Sequence, residues 1–325
     1  MTWAPRAMKR ENKITTKEMR ESIFRSGYLL EQRAESVLEK RGYYVTTNTA
    51  YPDPATGKSR EIDIKALTAL KLSRDYDFLY PNLICECENN EQPIVLFTKD
   101  SPVSFLNYQE VKSAGIPIQF LEKSTPTKRG YKIEDDTRYI GLSDFLNFEK
   151  YHHYCKGLIS TQYCTFSRKN TRKPWVAFHS DIQHNSLTNL IFALESEIDE
   201  YYKDYVLPEK TEKELININI YYPVLILQGP LYAAQMKKGN LTLKRAKHLQ
   251  YKKEYFSKDK HDTYQIDVIT EAFLPKYLDV IEEEMEKAKN ILRRKKKIVR
   301  ESLDKLVQKA RKKNKSKTFR EIFEF

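Results

Sequence analysis

The chain has 325 residues, of which 40% are hydrophobic and 31% charged, so it can bury a sizeable core beneath a heavily solvated surface. Lys and Arg number 57 against 45 Asp and Glu, a net charge of +12, while glycine occurs only 9 times and no Gly-x-Gly-x-x-Gly is present. That scarcity argues against folds that cradle nucleotide phosphates on glycine loops. No apolar run approaches the roughly 18 residues of a membrane span, the start lacks the apolar stretch of a signal peptide, and four cysteines are too few for a disulfide scaffold. A cytoplasmic protein with free thiols is expected.

Residues 1–19 read as a polar lead-in. A helix is expected from Arg20 to Lys40, burying Leu30, Ala34, Val37 and Leu38, with Gly42 as its stop. Tyr43 to Thr47 is a strand by its aromatic and β-branched content, and Tyr51 to Lys58 is a turn. Arg60 to Leu67 alternates charged and apolar residues, as a strand does; Asn82–Cys87 and Ile94–Thr98 read as two more. Residues 99–150 mix short helices and loops around Pro102, Pro117 and Pro126. Gln162 to His179 reads as a hairpin whose loop carries Arg168, Lys169, Arg172 and Lys173. Leu187 to Tyr205 is a helix, with Leu190, Ile191, Leu194, Ile198 and Tyr202 on its apolar side. Ile216–Gln228 and Tyr264–Thr270 are strands.

A last helix is expected from Pro275 to Lys313. From Met285 to Phe325 there are 16 Lys or Arg and 5 Asp or Glu, a net of +11, which leaves +1 for the rest of the chain. Arg293, Arg294, Lys295, Lys296 and Lys297 form one cationic cluster; Arg311, Lys312 and Lys313 form another. Leu292, Val299, Leu303, Leu306 and Ala310 recur at helical spacing. Such a helix either packs on the body or pairs as a coiled coil, giving a homodimer, or it serves as a phosphate-binding arm. Without aromatic anchors on the stripe, a membrane role is not expected.

The residues that carry chemistry lie on two of the strands. Glu61, Asp63 and Lys65 share one face of the first, and Glu86 and Glu88 one face of the second. Antiparallel pairing places Asp63 beside Glu86, where two carboxylates repel unless a proton or cation lies between them. Magnesium accepts such oxygen ligands, with water completing its shell. Glu35, on the preceding helix, can face the same point.

The order of Glu35, the Gly42-Tyr43-Tyr44-Val45 strand, Asp63 and Glu86-Cys87-Glu88 resembles the PD-(D/E)XK nuclease superfamily, and is similar to type IV restriction enzymes and junction resolvases. The resemblance covers about residues 20–100. It implies a restriction-endonuclease-like α/β fold, a mixed sheet flanked by helices, here with a long basic C-terminal helix. It divides the chain into the lead-in 1–19, a nuclease-like core 20–100, an α/β extension or second half of the same domain at 101–274, and a basic helix and tail at 275–325. It also implies Mg²⁺-dependent, or Mn²⁺-dependent, cleavage of DNA in a restriction or defence setting, with RNA as the other partner. Asp63, Glu86 and the Cys87 carbonyl would hold the metal, with Glu35 bound directly or through water. Glu88 stands where the family carries lysine, and Ile62 where it commonly carries proline; Lys65 or Lys99 would be a relocated lysine. The alternatives are an inactive nucleic-acid or partner binder on the same fold, and an unrelated interaction protein whose basic helix is a coiled-coil arm.

Two further patterns are set aside. Thr56-Gly57-Lys58-Ser59 imitates a P-loop but lacks the first glycine and the following helix, and Pro52-Asp53-Pro54 reads as a turn. His152, His153, Cys155 and Cys164 lack zinc-ligand spacing, and are expected as surface histidines and buried cysteines.

Overall fold

Thr15 starts the first helix. Its hydroxyl accepts the Glu18 N–H at 3.2 Å, and its own N–H donates to the Glu18 carboxylate at 2.8 Å, a capping box. The structure, a computed structural model, describes residues 13–26, 28–54, 56–73, 77–99, 104–123, 137–204, 214–256 and 261–313. Helix α1 (Thr16–Arg25) therefore begins inside the expected lead-in. The single helix expected from Arg20 is broken at Ser26, whose N–H turns back onto Ser22 and Ile23, and continues as α2 (Tyr28–Lys40). Gly42, at φ +81°, ends it.

The strands that follow are β1 (Tyr44–Pro52), β2 (Ser59–Leu67), β3 (Leu70–Lys71), β4 (Phe78–Glu88), β5 (Ile94–Lys99), β6 (Lys112–Ile116), β7 (Gln119–Lys123) and β8 (Thr137–Gly141). A short α3 (Leu142–Phe145), β9 (Ile159–Ser167), β10 (Val176–Phe178) and the long α4 (Asp181–Asp204) come next. Then β11 (Asn217–Leu227), β12 (Leu231–Lys237), β13 (Asn240–Ala246), β14 (His248–Phe256) and β15 (His261–Thr270) lead to α5 (Leu274–Arg294) and α6 (Lys296–Lys313). Residues 99–150, expected as helices and loops, hold three strands, and 231–256 hold three more that alternation alone did not mark.

Among the described residues, thirteen strands join one mixed sheet in the order β1-β2-β4-β11-β15-β14-β9-β5-β12-β13, with β3, β6 and β10 on its margins; β7 and β8 pair separately. Helix α4 covers one face: its Glu197 meets Lys65 of β2, and its Glu195 accepts the Tyr264 hydroxyl of β15 at 2.7 Å. Helices α2 and α5 cover the other, joined by Arg41 to Asp279 and Glu282 at 2.6 and 2.7 Å. The fold is thus a mixed α/β sheet flanked by helices, and no described helix is long and apolar enough to cross a membrane.

The centre is the parallel pairing of β4 with β11, in register from Phe78–Asn217 to Glu88–Leu227. Both strands are buried on both faces, the usual state of a parallel strand between helices. Each holds a proline where the lost N–H does no harm. Pro81 falls where β4 passes from partner β3 to partner β2, and Pro223 where β11 passes from β6 to β15. Past Glu88 and Leu227 both strands turn a corner and pair again as β5 and β12. Asn90 pins this corner by accepting the Gly229 N–H at 2.8 Å and donating to the Gln92 carbonyl at 3.0 Å.

The C-terminal helix is a pair. It breaks at Lys295, and the Val299, Leu303, Leu306 and Ala310 stripe is buried against the body, where Ser302 accepts the Leu121 N–H at 3.0 Å. A Cβ on Gly229 would stand 2.1 Å from the Asn90 carbonyl oxygen, so neither backbone can accept one. Gly229→Ala is expected to cost more than about 2 kcal/mol in urea denaturation. A loss under about 0.5 kcal/mol would mean that the corner yields.

Candidate metal and carboxylate site

The β2–β4 ladder ends at Ile64 opposite Cys85. One residue further, Asp63 and Glu86 face α4. Here the Cys87 N–H donates to Asp63 Oδ2 at 2.7 Å, so a side chain replaces the backbone acceptor of β2. Within a strand the N–H and C=O of one residue leave along the same edge, and successive residues alternate. The Glu88 carbonyl accepts Gln228 N–H from the β11 side at 3.0 Å. The Cys87 carbonyl therefore points to the β2 side, toward Asp63. Asp63, Glu86 and that carbonyl line one gap at the open end of a ladder.

Glu86 and Glu88 are only 8% and 7% exposed. A buried carboxylate is costly without a cation or a full set of donors. Asn189 of α4 donates to Glu86, and Gln183 donates to Glu88. Glu86 Oε1 and Glu88 Oε2 remain buried without a partner. Burial first, and the neighbouring Asp63 charge second, push the Glu86 carboxyl up to about 9. Burial also raises Asp63, opposed by its bond from Cys87, and raises Glu88, opposed by Gln183. Among the described residues no lysine, arginine or histidine forms an ion pair with Asp63, Glu86 or Glu88. Arg60 supports the site through a neighbour: it bonds Asp53 and donates to Asn189 at 3.0 Å, orienting the amide that reaches Glu86. Asp53, the literal Pro-Asp of the sequence, thus anchors a support of the site and stays outside it.

The helical glutamate that the field reaches is Glu31. Burial and the Asp63 charge raise its carboxyl, and it in turn acts on Glu86 and Cys87. Glu35 lies one turn on and makes no described contact with the cluster. A Glu four residues ahead of the expected one was the available signal, because i and i+4 share a face. Lys65 is on the Asp63 face but is paired with Glu197. Lys99 ends β5 opposite Ile159, at the far end from the corner. Neither takes the place of the missing lysine.

The cationic tail lies away from the carboxylates. Arg300 bonds Asp77 at 2.7 Å, next to the first residue of β4, and Glu86 is eight residues further along, roughly 26 Å at strand rise. Arg293 donates to the Leu72 carbonyl at 3.1 Å, Arg294 to its own helix at Asn290, and Lys295 to the Phe145 carbonyl at 3.2 Å. Lys296 and Lys297 are exposed, and Arg311 lies on the last turn of α6. The Lys312 and Lys313 side chains lie outside the described residues.

The histidines set aside as surface residues are buried, on the α5 face. His153 sits between Glu284 and Asp267, at 3.0 Å from Nδ1 and 2.9 Å from Nε2. Burial opposes its charge, but the two carboxylates outweigh burial and raise its pKa to about 10. Burial would raise Asp267, yet His153 and His248 hold it well below the carboxylate range. Ligand atoms of His152, His153 and Glu284, and of His153, His248 and Asp267, converge within 4.8 Å, which among the described residues the Asp63–Glu86–Glu88 oxygens do not. The histidine grouping is nonetheless short of lone pairs for a metal, although His152 Nε2 is itself buried without a partner. His152 Nδ1 accepts the Tyr154 N–H at 3.2 Å, which puts its proton on Nε2 and leaves no lone pair there for a metal. Both His153 nitrogens are already engaged by carboxylates. Cys155 and Cys164 form no disulfide, and the Cys155 thiol faces the Phe148 carbonyl at 3.7 Å. This grouping is an ion-paired core, and the carboxylates with orphan oxygens are the better fit to a cation.

A carboxyl whose pKa rises on folding favours the fold in acid and ceases to as pH climbs toward the folded value. In buffer free of divalent cations, Glu86→Gln is expected to be more stable than wild type by on the order of 2–4 kcal/mol at pH 8, and no different at pH 4.5. A less stable variant at pH 8 would contradict an uncompensated carboxyl. For His153 the raised value contributes stability that is complete below about 6.5 and is lost as pH rises through about 10. His153→Gln should cost about 3–5 kcal/mol at pH 6, with the deficit shrinking toward pH 10; a constant deficit would rule out the charged bridge.

Comparison of the chain with protein-family models, with curated proteins and with solved structures finds no match in any of the three, so the geometry alone carries the functional reading.

Proposed function

We propose that the protein is a divalent-metal-dependent nuclease on a restriction-endonuclease-like sheet, hydrolysing phosphodiester bonds in DNA, with RNA as the alternative substrate. The observation that carries this reading is the buried carboxylate cluster, lacking any paired cation, at the open end of the β2–β4 ladder, with unpartnered oxygens on Glu86 and Glu88. The donor set is all oxygen, which suits Mg²⁺ or Mn²⁺. Asp63, Glu86 and the Cys87 carbonyl would hold the ion, with Glu31 beside them. Such an ion, when bound, supplies positive charge at the scissile phosphate and acidifies water. Asn189 fixes one oxygen of Glu86 and leaves the other to face the gap. Gln183 holds Glu88 so that its free oxygen can orient a water, the part that lysine plays in the resembled family. Residues Lys65 and Glu197 neutralise each other and close the site on the side of α4.

A second reading has its own observation. Glu88 is already bound by Gln183, and no lysine replaces it, as in a domain that has kept the cleft and lost the chemistry. Incubating plasmid and single-stranded DNA with Mg²⁺ or Mn²⁺ separates the two. Wild type should cut, and Asp63→Ala should lose about a hundredfold or more of the rate. Equal metal-dependent cutting by both proteins would overturn the assignment of the centre, and no cutting with retained binding would favour the binder.

A further inference from the structure

From Lys150 to Ser180 the chain carries no Asp or Glu, and within that stretch Arg168, Lys169, Arg172 and Lys173 cluster in the loop between β9 and β10. The loop is built. Asn170 accepts the Arg172 N–H on its side chain at 3.0 Å and the Lys173 N–H on its carbonyl at 3.1 Å. Among the described residues, none of the four cations pairs with a carboxylate. Their positive charge is therefore open to an outside partner. Arg168 lies over the Trp175 ring at 4.6 Å, one step beyond the last paired residues, Ser167 and Val176. Trp175 is still 49% exposed, so much of its indole remains available to a partner.

The hairpin is rooted at the carboxylate site. On one side the Thr165 hydroxyl donates to the Pro93 carbonyl at 3.2 Å, in the turn that follows Glu88. On the other, β10 runs through Ser180, whose carbonyl accepts the Tyr163 hydroxyl at 3.1 Å, into α4, and three residues later Gln183 holds Glu88. Both strands of the hairpin thus end within a few residues of contacts to the turn or side chain at Glu88. The tail cations, by contrast, sit at the opposite end of β4.

Resting on the nuclease reading, we propose that the β9–β10 hairpin grips a single-stranded segment of nucleic acid leading into the carboxylate site. Phosphates lie on Lys169, Arg172 and Lys173, and one unpaired base stacks on the exposed indole of Trp175, completing an Arg168–indole–base sandwich. Stacking on an exposed indole requires a base outside a duplex, which is why the occupant is a single strand; sequence-independent binders combine aromatic platforms with cationic grooves in this way. All of these side chains are exposed, so they can be replaced without touching the core.

The test is binding of fluorescein-labelled oligo-dT and oligo-rU to the full chain in EDTA, where no cleavage occurs. Trp175→Ala should weaken single-strand binding about tenfold or more. Lys169→Gln with Arg172→Gln should lower the slope of log affinity against log salt by about 1–1.5. Both variants should keep the wild-type melting temperature. Preference for oligo-dT or oligo-rU assigns the sugar and upholds the grip in either case. Unchanged binding by both hairpin variants, absence of wild-type binding, or duplex binding equal to single-strand binding and indifferent to Trp175 overturns the proposal. If hairpin-dependent binding is found but Mg²⁺ and Mn²⁺ yield no cutting, the grip stands and the nuclease reading falls. The reverse pattern, cutting with hairpin-independent binding, does the opposite.

Discussion

Everything in this fold depends on the eleven-residue parallel register between β4 and β11, strands separated by more than a hundred residues of chain. Closing so long a connection costs only modestly more entropy than closing a short one, because the cost grows with the logarithm of length. Once closed, it places β4 between β2 and β11 and under α4, and this is what carries Glu86 and Glu88 indoors. On an edge strand or a one-sided hairpin the same alternating charges would be solvated and unremarkable. Burial gives them chemistry.

The two faces of the sheet solve the problem of buried charge in opposite ways. On the α5 face, Asp267 and Glu284 are balanced by the imidazolium of His153, and Tyr277 adds its hydroxyl to Asp267 at 2.7 Å. Most polar atoms there have partners, and the arrangement stiffens the contact between β15, α5 and the 152–155 turn. On the α4 face, Asp63, Glu86 and Glu88 gather with no paired cation among the described residues, within the field of Glu31 from α2, and two oxygens lack donors. Both faces leave buried polar atoms without a partner, His152 Nε2 and Gln265 Oε1 on the first, Glu86 Oε1 and Glu88 Oε2 on the second; what differs among the described residues is that the second gathers carboxylates with no cation.

Much of the site was legible in sequence because its signal is short-range. Asp63 and Glu86-x-Glu88 sit on strands whose period is visible, and their neighbouring registers follow from Ile64 and Cys85 both needing the core. Glu31 was missed in favour of Glu35, since two glutamates on one helical face differ only in how the helix meets the sheet, and sequence does not set that angle. The break between α1 and α2 was hidden by continuous helical composition. The histidine core was unreadable for a different reason: His153, Asp267 and Glu284 are far apart in sequence, and each looks polar and exposed until β15 and α5 are packed together. Strands β13 and β14 are hidden because Lys244, Arg245, Lys252 and Lys253 mask their alternation. Lys253 is half-buried and donates to the Thr188 hydroxyl of α4 at 2.7 Å, so that lysine lies against the helix-covered face of its strand, where burial lowers its pKa to about 8.

The net charge of residues 285–325 points to a phosphate-binding arm, and three of the cations there are engaged by the body. Arg300 neutralises buried Asp77 and caps the Glu214 carbonyl, Lys295 reaches the Phe145 carbonyl, and Arg293 reaches the Leu72 carbonyl. Cations that close a helix pair onto a sheet are unavailable to a distant phosphate, whatever their number. The hairpin between β9 and β10 holds only four, but among the described residues they have no carboxylate partners, and the hairpin is rooted beside Glu88. For recognition at a carboxylate site, the deciding quantity is the number of unpaired cations within reach, since the acids themselves repel phosphate. Under the nuclease proposal, a site this negative would need cations on its rim to bring a polyanion in and a metal at its centre to hold it there.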